Sequence, residues 1–516
     1  MATSRNQPCP CGSGKKFKRC CGVIGKALAS EGTPTNGTVA ASVSMIKPAS
    51  SHPRTFTLES GVKISAPDSL ELLTPYVLQE QLDWFEDEIG FVRHFIQPGM
   101  NAVDIGANYG SYTFSIAQQN NHLGKVWAFE PTTDVMKHLE YSKQLNLANN
   151  VELIACALSD HCGQAELSLE NNPEFNRLAT TTDDPTKSKN GITESVSLRT
   201  LDDFFESISI QSVDFVKLDA EGEEVKIIHG GNAFFEKYSP LVMYERVHAG
   251  KVNEGLIAAF ATIGYSSYCL IQGLNVLVPL DPEHKHDGFL LNLFACKDDY
   301  ALQLEEKGLL IRDISAHCEM PDNMQDYLAE YYNTSTIAPI LANQWAQLSE
   351  SDLEQVNNIL AFYNVAQDTS LSALIRYKAL LTAKIKAHES ITHNPTYSDL
   401  STYARIATEF GERRQALEAT QVAFQRFNDT RTVTIEKPLL AAAAHYDSIN
   451  PGERSAEWLI SSIIEAGEKL RHWSSYYTGD SAMQNLVFLR DTGFWSSEMQ
   501  RRIVLIEQRY LARRQA

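Results

Sequence analysis

The chain has 516 residues, room for about three domains of ordinary size. Its 43% hydrophobic and 21% charged content is that of a soluble globular protein, and 64 acidic against 45 basic residues give a net charge of −19. That charge argues against bulk nucleic-acid binding by the whole chain, and no apolar run approaches the ~20 residues of a membrane helix.

The first element is Cys9-Pro10-Cys11-Gly12-Ser13-Gly14-Lys15-Lys16-Phe17-Lys18-Arg19-Cys20-Cys21-Gly22. Two cysteine pairs at this separation can bring four thiolates around a tetrahedral zinc, and Gly12, Ser13 and Gly14 supply the tight turn that a closed loop requires. Free thiols or disulfides are the alternative. The segment is too short to bury a core, so metal binding would be its folding energy. The run resembles the SEC-C motif, known from the carboxy-terminal tail of the SecA translocation motor, whose last ligand is Cys or His; Cys21 fills that place. Cys9, Cys11, Cys20 and Cys21 are therefore the expected ligands of a structural zinc. Residues 1–22 also hold Arg5, Lys15, Lys16, Lys18 and Arg19 with no acid. A basic knob on an acidic protein suggests docking on an acidic protein partner, as SecA-like tails dock on an acidic chaperone surface or on ribosomes. A solvated knob without a partner is the bland alternative.

Residues 23–54 have few large apolar side chains and much turn chemistry, which predicts a flexible linker. Cysteines stand where a signal peptide would have its apolar core. Cys156, Cys162, Cys269, Cys296 and Cys318 are scattered, mostly in apolar runs, as reduced thiols of a cytoplasmic protein would be.

The most informative stretch is Val103-Asp104-Ile105-Gly106-Ala107-Asn108-Tyr109-Gly110, a short buried strand entering a glycine-bounded turn. Gly106 and Gly110 let the backbone bend sharply and approach a ligand. Asp104, at the strand end, can accept hydrogen bonds from an amino group. The next strand ends in Glu130, where a carboxylate suits the two hydroxyls of a ribose. The loop is G-x-x-x-G, with Asn108 and Tyr109 where a pyrophosphate loop wants smaller residues. A nucleoside without phosphates, S-adenosylmethionine, fits better than a dinucleotide. An ordinary strand–helix turn without a ligand is the competing reading.

D-I-G-A-N-Y-G, then F-E-P at 129–131, then K-L-D-A-E-G-E-E at 217–224, resembles the FkbM family of S-adenosylmethionine-dependent methyltransferases. The strand-like run Pro240–Glu245, ending in glutamate, also matches. The resemblance covers about residues 55–300 and implies methyl transfer, often to a hydroxyl of a sugar or secondary metabolite. It implies Asp104, Gly106, Ala107, Asn108, Gly110 and Glu130 as cofactor-binding residues.

Apolar runs at 101–105, 125–129, 151–157, 213–219, 240–245, 269–279 and 288–296 predict an α/β fold with a mainly parallel, doubly wound, seven-stranded sheet, which the resemblance implies to be Rossmann-like. The last two runs look like a terminal hairpin that adds an antiparallel strand. Ligands in such sheets bind beyond the carboxyl ends of the strands, which singles out Asp219, Glu221 and Glu245 as catalytic candidates. A hydroxyl acceptor needs a base; Asp219 ranks first, Glu245 second and His248 a distant third. Glu221-Gly222 can instead open a helix, its carboxylate satisfying backbone donors. Three carboxylates can also hold a divalent metal, although the spacing demands none. Lys217 shares a strand face with Asp219 and is placed to pair with a carboxylate. Residues 179–194 form a polar loop that either covers the acceptor site or decorates the surface.

From about residue 301 to 516, helical periodicity takes over. Tyr403, Ile406, Ala407 and Phe410 form one stripe, Gly411 breaks the helix, and Ala416, Ala419, Ala423 and Phe427 form the next stripe. This pair resembles one tetratricopeptide repeat, which implies a helical interaction domain with a protein partner; an irregular bundle is the alternative. Tyr327-Tyr331-Tyr332 and Trp473-Tyr476-Tyr477 can contact glycans, but aromatic helix faces are usually core. Three functions remain: a methyltransferase acting on a saccharide, glycan precursor or metabolite, a non-catalytic adaptor retaining a nucleoside-binding fold, and a nicotinamide-dependent oxidoreductase. The missing central glycine of the phosphate loop disfavours the last.

Overall fold

The computed structural model describes residues 53–178, 192–248, 251–252, 254–281 and 288–515. The cysteine-rich run, all but the last two residues of the expected linker and most of the 179–194 loop lie outside the described residues.

The apolar runs become one central sheet whose strands are numbered here in chain order. They are β1 (Ala102–Ile105), β2 (Val126–Phe129), β3 (Val151–Ile154), β4 (Phe215–Leu218), β5 (Leu241–Glu245), β6 (Ser266–Ile271), β7 (Val276–Pro279) and β8 (Asn292–Cys296). Their spatial order is β7-β6-β8-β5-β4-β1-β2-β3. β1 to β5 are parallel, and β8 lies antiparallel between β5 and β6. The terminal antiparallel pair is as expected, but the sheet has eight strands rather than seven. The 269–279 run folds back on itself at Gln272–Asn275, with Asn275 at φ 57°, and so supplies both β6 and β7.

Side chains alternate between two cores. Ala102, Val126, Ala128, Phe215, Leu241 and Met243 pack with Phe91, Phe95, Phe114 and Ile116 of the helices Glu88–Phe95 and Ser111–Gln119. Val103, Ile105, Trp127, Phe129, Val216, Leu218 and Val242 face Phe204, Ile227, Phe235 and Phe260 on the other side. The central strands β1, β2, β4 and β5 are buried on both faces, which is why they read as continuous apolar runs. Asp104 and Lys217 interrupt the first face with charge, and the register sets them directly opposite each other. The first core continues past residue 300 through Ala301, Leu304 and Leu310.

Two polar-patterned elements were not visible as apolar runs. One is the hairpin Pro53–Thr57 with Lys63–Pro67; the other is a four-stranded sheet built from residues 157–158, 163–168, 177–178 and 193–199.

The remainder is helical. Tyr397–Phe410 and Arg413–Thr430 form the antiparallel pair read from the stripes, turned at Gly411 with φ 89°. Glu350–Gln367, Ala373–Ile391 and these two pack each on the next, and Arg413–Thr430 packs on Ser455–Arg471. Their core includes Ile271, Leu274, Val276 and Val278, so the helices cover the β6–β7 edge of the sheet and leave no long apolar strand open to pairing there. The last helix, Ser497–Gln515, returns to α1 (Leu73–Gln81). There Arg502 Nε lies 3.3 Å from Glu80 Oε1, both side chains almost fully buried. No described helix is long and apolar enough to cross a membrane. The five described cysteines are free thiols; Cys156 and Cys296 are buried and Cys162 is exposed.

Candidate active site

The carboxyl ends of β1, β2, β4 and β5 open on a cavity of about 260 Å³, the place where a doubly wound sheet binds ligands. Among the further segments that close it are Trp84–Glu86 after α1, residues 173–178, and Trp473 with Tyr477 from the helical half.

On one side lie Gly106, Ala107, Asn108, Gly110 and Glu130. Gly106 has φ +76°, and a Cβ there would fall 1.8 Å from the Asp219 carbonyl oxygen. Gly110 has φ +91°, and its Cβ would meet Phe114 and Leu139 within 2.8 Å. Both glycines are thus required by neighbouring protein atoms, beyond any need to admit a ligand. Glu130 is 6% exposed. Its Oε2 accepts from Asn108 N at 3.0 Å and its Oε1 from Thr132 N at 2.8 Å, which fixes the carboxylate at the cavity wall with acceptor capacity to spare. Burial pushes its carboxyl above the usual range. These residues fit the ribose of S-adenosylmethionine: a fixed carboxylate one strand over from a glycine-bounded loop.

Asp104 stands apart from the others. It is fully buried beneath the loop and does not reach the cavity surface. Thr113 Oγ1 donates to its Oδ2 at 2.5 Å, and the amino group beside its Oδ1 is that of Lys217, at 3.9 Å. In this geometry it ties the helix after the loop, through Thr113, to the strand pair that carries Lys217.

The other side carries the candidate chemistry. Lys217 Nζ donates to Asp219 Oδ2 at 3.0 Å and to the Gly106 carbonyl at 3.4 Å. Burial alone would depress the Lys217 ammonium, but the carboxylates of Asp219, Asp104 and Glu86 outweigh it and hold its pKa above the usual value. Asp219, Glu221 and Glu245 each place one carboxylate oxygen within 4.8 Å of the others. Glu245 Oε2 is buried with no hydrogen-bond partner. Burial, then the like charges of Asp219, Glu221, Glu224 and Glu86, raise its carboxyl well above the ordinary range. Glu221, at φ 50°, and Gly222, at φ 106°, form the bend after β4. The backbone donors there belong to a different acid: Glu224 Oε1 accepts from Ala220 N and Gly222 N, each at 3.0 Å. His248 lies three residues beyond Glu245 in a short ribbon, Val247–His248 against Lys251–Val252.

Sequence reasoning missed Glu86, whose Oε2 accepts from Tyr112 Oη at 2.7 Å and whose carboxyl is raised by burial. It also missed Glu174, which accepts from Thr74 N at 3.0 Å. Neither sits at a strand end, so no motif marked them; a W-F-E triplet between two helices was the only available signal. Trp473 and Tyr477 had been noted as aromatics with a core alternative, and both line the cavity.

Residues 104–269 match the family model described as the methyltransferase FkbM domain, and residues 5–22 match the SEC-C motif. Neither match extends into the helical half. Among solved structures, the chain is similar to an FkbM methyltransferase from Methylobacillus flagellatus KT at 15% identity. That match covers 38% of this chain and 43% of that one, less than half of its length, with a TM-score of 0.26. It is similar to a SAM-dependent O-methyltransferase from Thermotoga maritima at 14% identity over 47% of this chain and 77% of that one, with a TM-score of 0.25. A putative methyltransferase from Streptococcus mutans in complex with SAH matches at 10% identity, covering 41% and 95% of the two chains with a TM-score of 0.24. The chain thus holds a segment matching an FkbM methyltransferase domain and, before it, one matching a SEC-C motif, the two together covering less than half of its length.

Proposed function

We propose that the protein transfers a methyl group from S-adenosylmethionine to a hydroxyl of a saccharide, glycan precursor or secondary metabolite. The observation that carries this reading is the arrangement of Glu130 beside the 106–110 loop, across one cavity from Glu245. When bound, the cofactor would supply a sulfonium methyl to the acceptor oxygen, with S-adenosylhomocysteine as the leaving group. Glu130 holds the ribose. Asp219 and Lys217, locked in their 3.0 Å pair, shape the floor between β1 and β4. The hydroxyl proton needs an acceptor, and Glu245 is placed to take it at its unpartnered Oε2. Asp219, first in the sequence ranking, is already engaged by Lys217, whereas the raised carboxyl of Glu245 is the stronger base once ionised. The surrounding protein excludes water and orients the partners.

Calorimetric titration of S-adenosylmethionine into the full chain tests the reading. Wild type is expected to bind, and Glu130→Ala to bind at least about tenfold more weakly, since hydrogen bonds to a charged group are worth ~1.5–3 kcal/mol. No heat with folded wild-type protein would leave the adaptor reading in its place.

A second reading of the same carboxylates is favoured by their clustering: a divalent cation held by Asp219, Glu221 and Glu245 would orient the acceptor oxygen. Methyl transfer that survives exhaustive chelation excludes it. For the SEC-C motif we propose a zinc held by Cys9, Cys11, Cys20 and Cys21, because four thiolates make a closed tetrahedral donor set, with the basic knob docking on an acidic protein and the helical half on a further partner. Metal analysis is expected to find one zinc per chain and its loss in Cys9→Ser; an unchanged zinc content in that variant sinks the assignment.

A further inference from the structure

The cavity is not finished by the methyltransferase domain. Trp473 and Tyr477 belong to the helical half and line the cavity together with Trp84 and Phe85, and Phe85 lies 4.7 Å from Trp84 and 6.1 Å from Trp473, ring centroid to centroid. The segment that carries them is clamped to α1. Gln81 Nε2 donates to the Trp473 carbonyl, Ser475 N donates to the Glu80 carboxylate at 3.0 Å, and Tyr76 Oη bonds Ser475 Oγ at 2.9 Å. Behind Trp473, the Arg413 guanidinium stands 5.5 Å from its ring and 5.1 Å from that of Phe289. The aromatic wall is therefore fixed before any ligand arrives, which lowers the ordering entropy that binding must overcome.

Charge decides what this wall can hold. Seven acids line the cavity (Glu86, Glu130, Glu174, Asp219, Glu221, Glu223 and Glu245) against two cations, Arg177 and Lys217, of which Lys217 is committed to Asp219 and Asp104. A phosphate or carboxylate beside these acids is repelled. A cationic acceptor would have to sit against the cofactor's own positive sulfonium, and a protonated amine has no lone pair to accept a methyl. An uncharged ring bearing several hydroxyls avoids both conflicts: its C–H face covers aromatic carbon while its hydroxyls donate to the carboxylates.

Resting on the methyltransferase reading, the geometry points to an acceptor site shared between the two halves of the chain, in which Trp473 and Tyr477 receive an uncharged saccharide ring and exclude phosphorylated or nucleotide-activated sugars. The helical half thereby selects the acceptor.

The test uses the full chain and calorimetry, with and without SAH. The probes are uncharged methyl glycosides of common hexoses and their disaccharides, glucose 6-phosphate and glucosamine. Uncharged glycosides are expected to bind, glucose 6-phosphate at least about tenfold more weakly. Trp473→Ala is expected to lose glycoside affinity by at least about tenfold at unchanged SAH affinity, with Trp473→Phe retaining most of it. The inference is overturned if glucose 6-phosphate or glucosamine binds as tightly as the uncharged rings. It is equally overturned if no uncharged glycoside binds, or if folded Trp473→Ala binds them like wild type. Failure of the methyltransferase reading shows separately, as absence of SAH heat with wild type.

Discussion

The environment of Glu245 sets the pH at which it can serve as the base proposed above. One of its oxygens is buried without a partner, and burial with four neighbouring acids keeps its carboxyl protonated to higher pH than an ordinary glutamate. A base must be ionised to act, so the rate of methyl transfer should climb with pH through a limb displaced above the usual carboxylate range. Glu245→Gln should remove that limb and lower kcat by roughly 10²–10⁴ while S-adenosylmethionine affinity stays near that of wild type. A pH–rate profile of both proteins checks this; an unchanged acidic limb in the variant assigns it to another group. The residues at this scale were unevenly legible. Glu130, Asp219 and Glu245 announce themselves because each ends an apolar strand, where a charged side chain is conspicuous. Asp104 has the same signature but faces inward onto Thr113 and Lys217, and strand periodicity alone does not tell a cavity wall from a buried pair.

At the scale of elements, the β1–β4 contact sets the floor of the site. The ends of these two strands come so close that a Cβ on Gly106 would fall on the Asp219 carbonyl. Gly106→Ala should therefore force the strand ends apart, at a loss of about 1–3 kcal/mol for overpacking with further strain from its positive φ. Thermal denaturation reads the first effect and a weaker cofactor titration the second. If Gly106→Ala melts with wild type, the strand contact is not the constraint. The sheet itself was readable because parallel strands buried on both faces leave continuous apolar runs. The accessory strand Gly163–Ser168 was not, since Gly163, Gln164 and Glu166 face solvent and its apolar content is too small to stand out. The extra strand in the central sheet was hidden for another reason: the Gln272–Asn275 turn is flanked by apolar residues on both sides, so one run concealed two strands.

At the scale of the molecule, the two halves are joined by buried charge as well as by carbon. Arg502 lies between Glu80 of α1, at 3.3 Å, and Glu498, at 2.9 Å, with almost no solvent access. Arg502→Ala strands Glu80 in a buried site and should lower stability by about 3–5 kcal/mol, whereas Glu80→Gln with Arg502→Met removes both charges and should lose less. Denaturant midpoints of the two variants check the sign; equal losses would mean that packing, not charge, holds the contact. This junction was invisible to sequence reasoning because its partners lie at opposite ends of the described chain and no local pattern connects them.

The clamp on Trp473 also imposes an order of events during synthesis. A nascent chain emerges from its amino end at roughly 5–20 residues per second, so the sheet and its cofactor cleft are complete while the stretch bearing Trp473 and Tyr477 is still unmade. In that interval the cleft has no outer wall and stands open to water. On the reading proposed above, competence for transfer comes only when the last helices close on α1, and a chain ended by premature termination before residue 473 would lack both Trp473 and Tyr477 of the cavity wall and the Arg502 that neutralises Glu80.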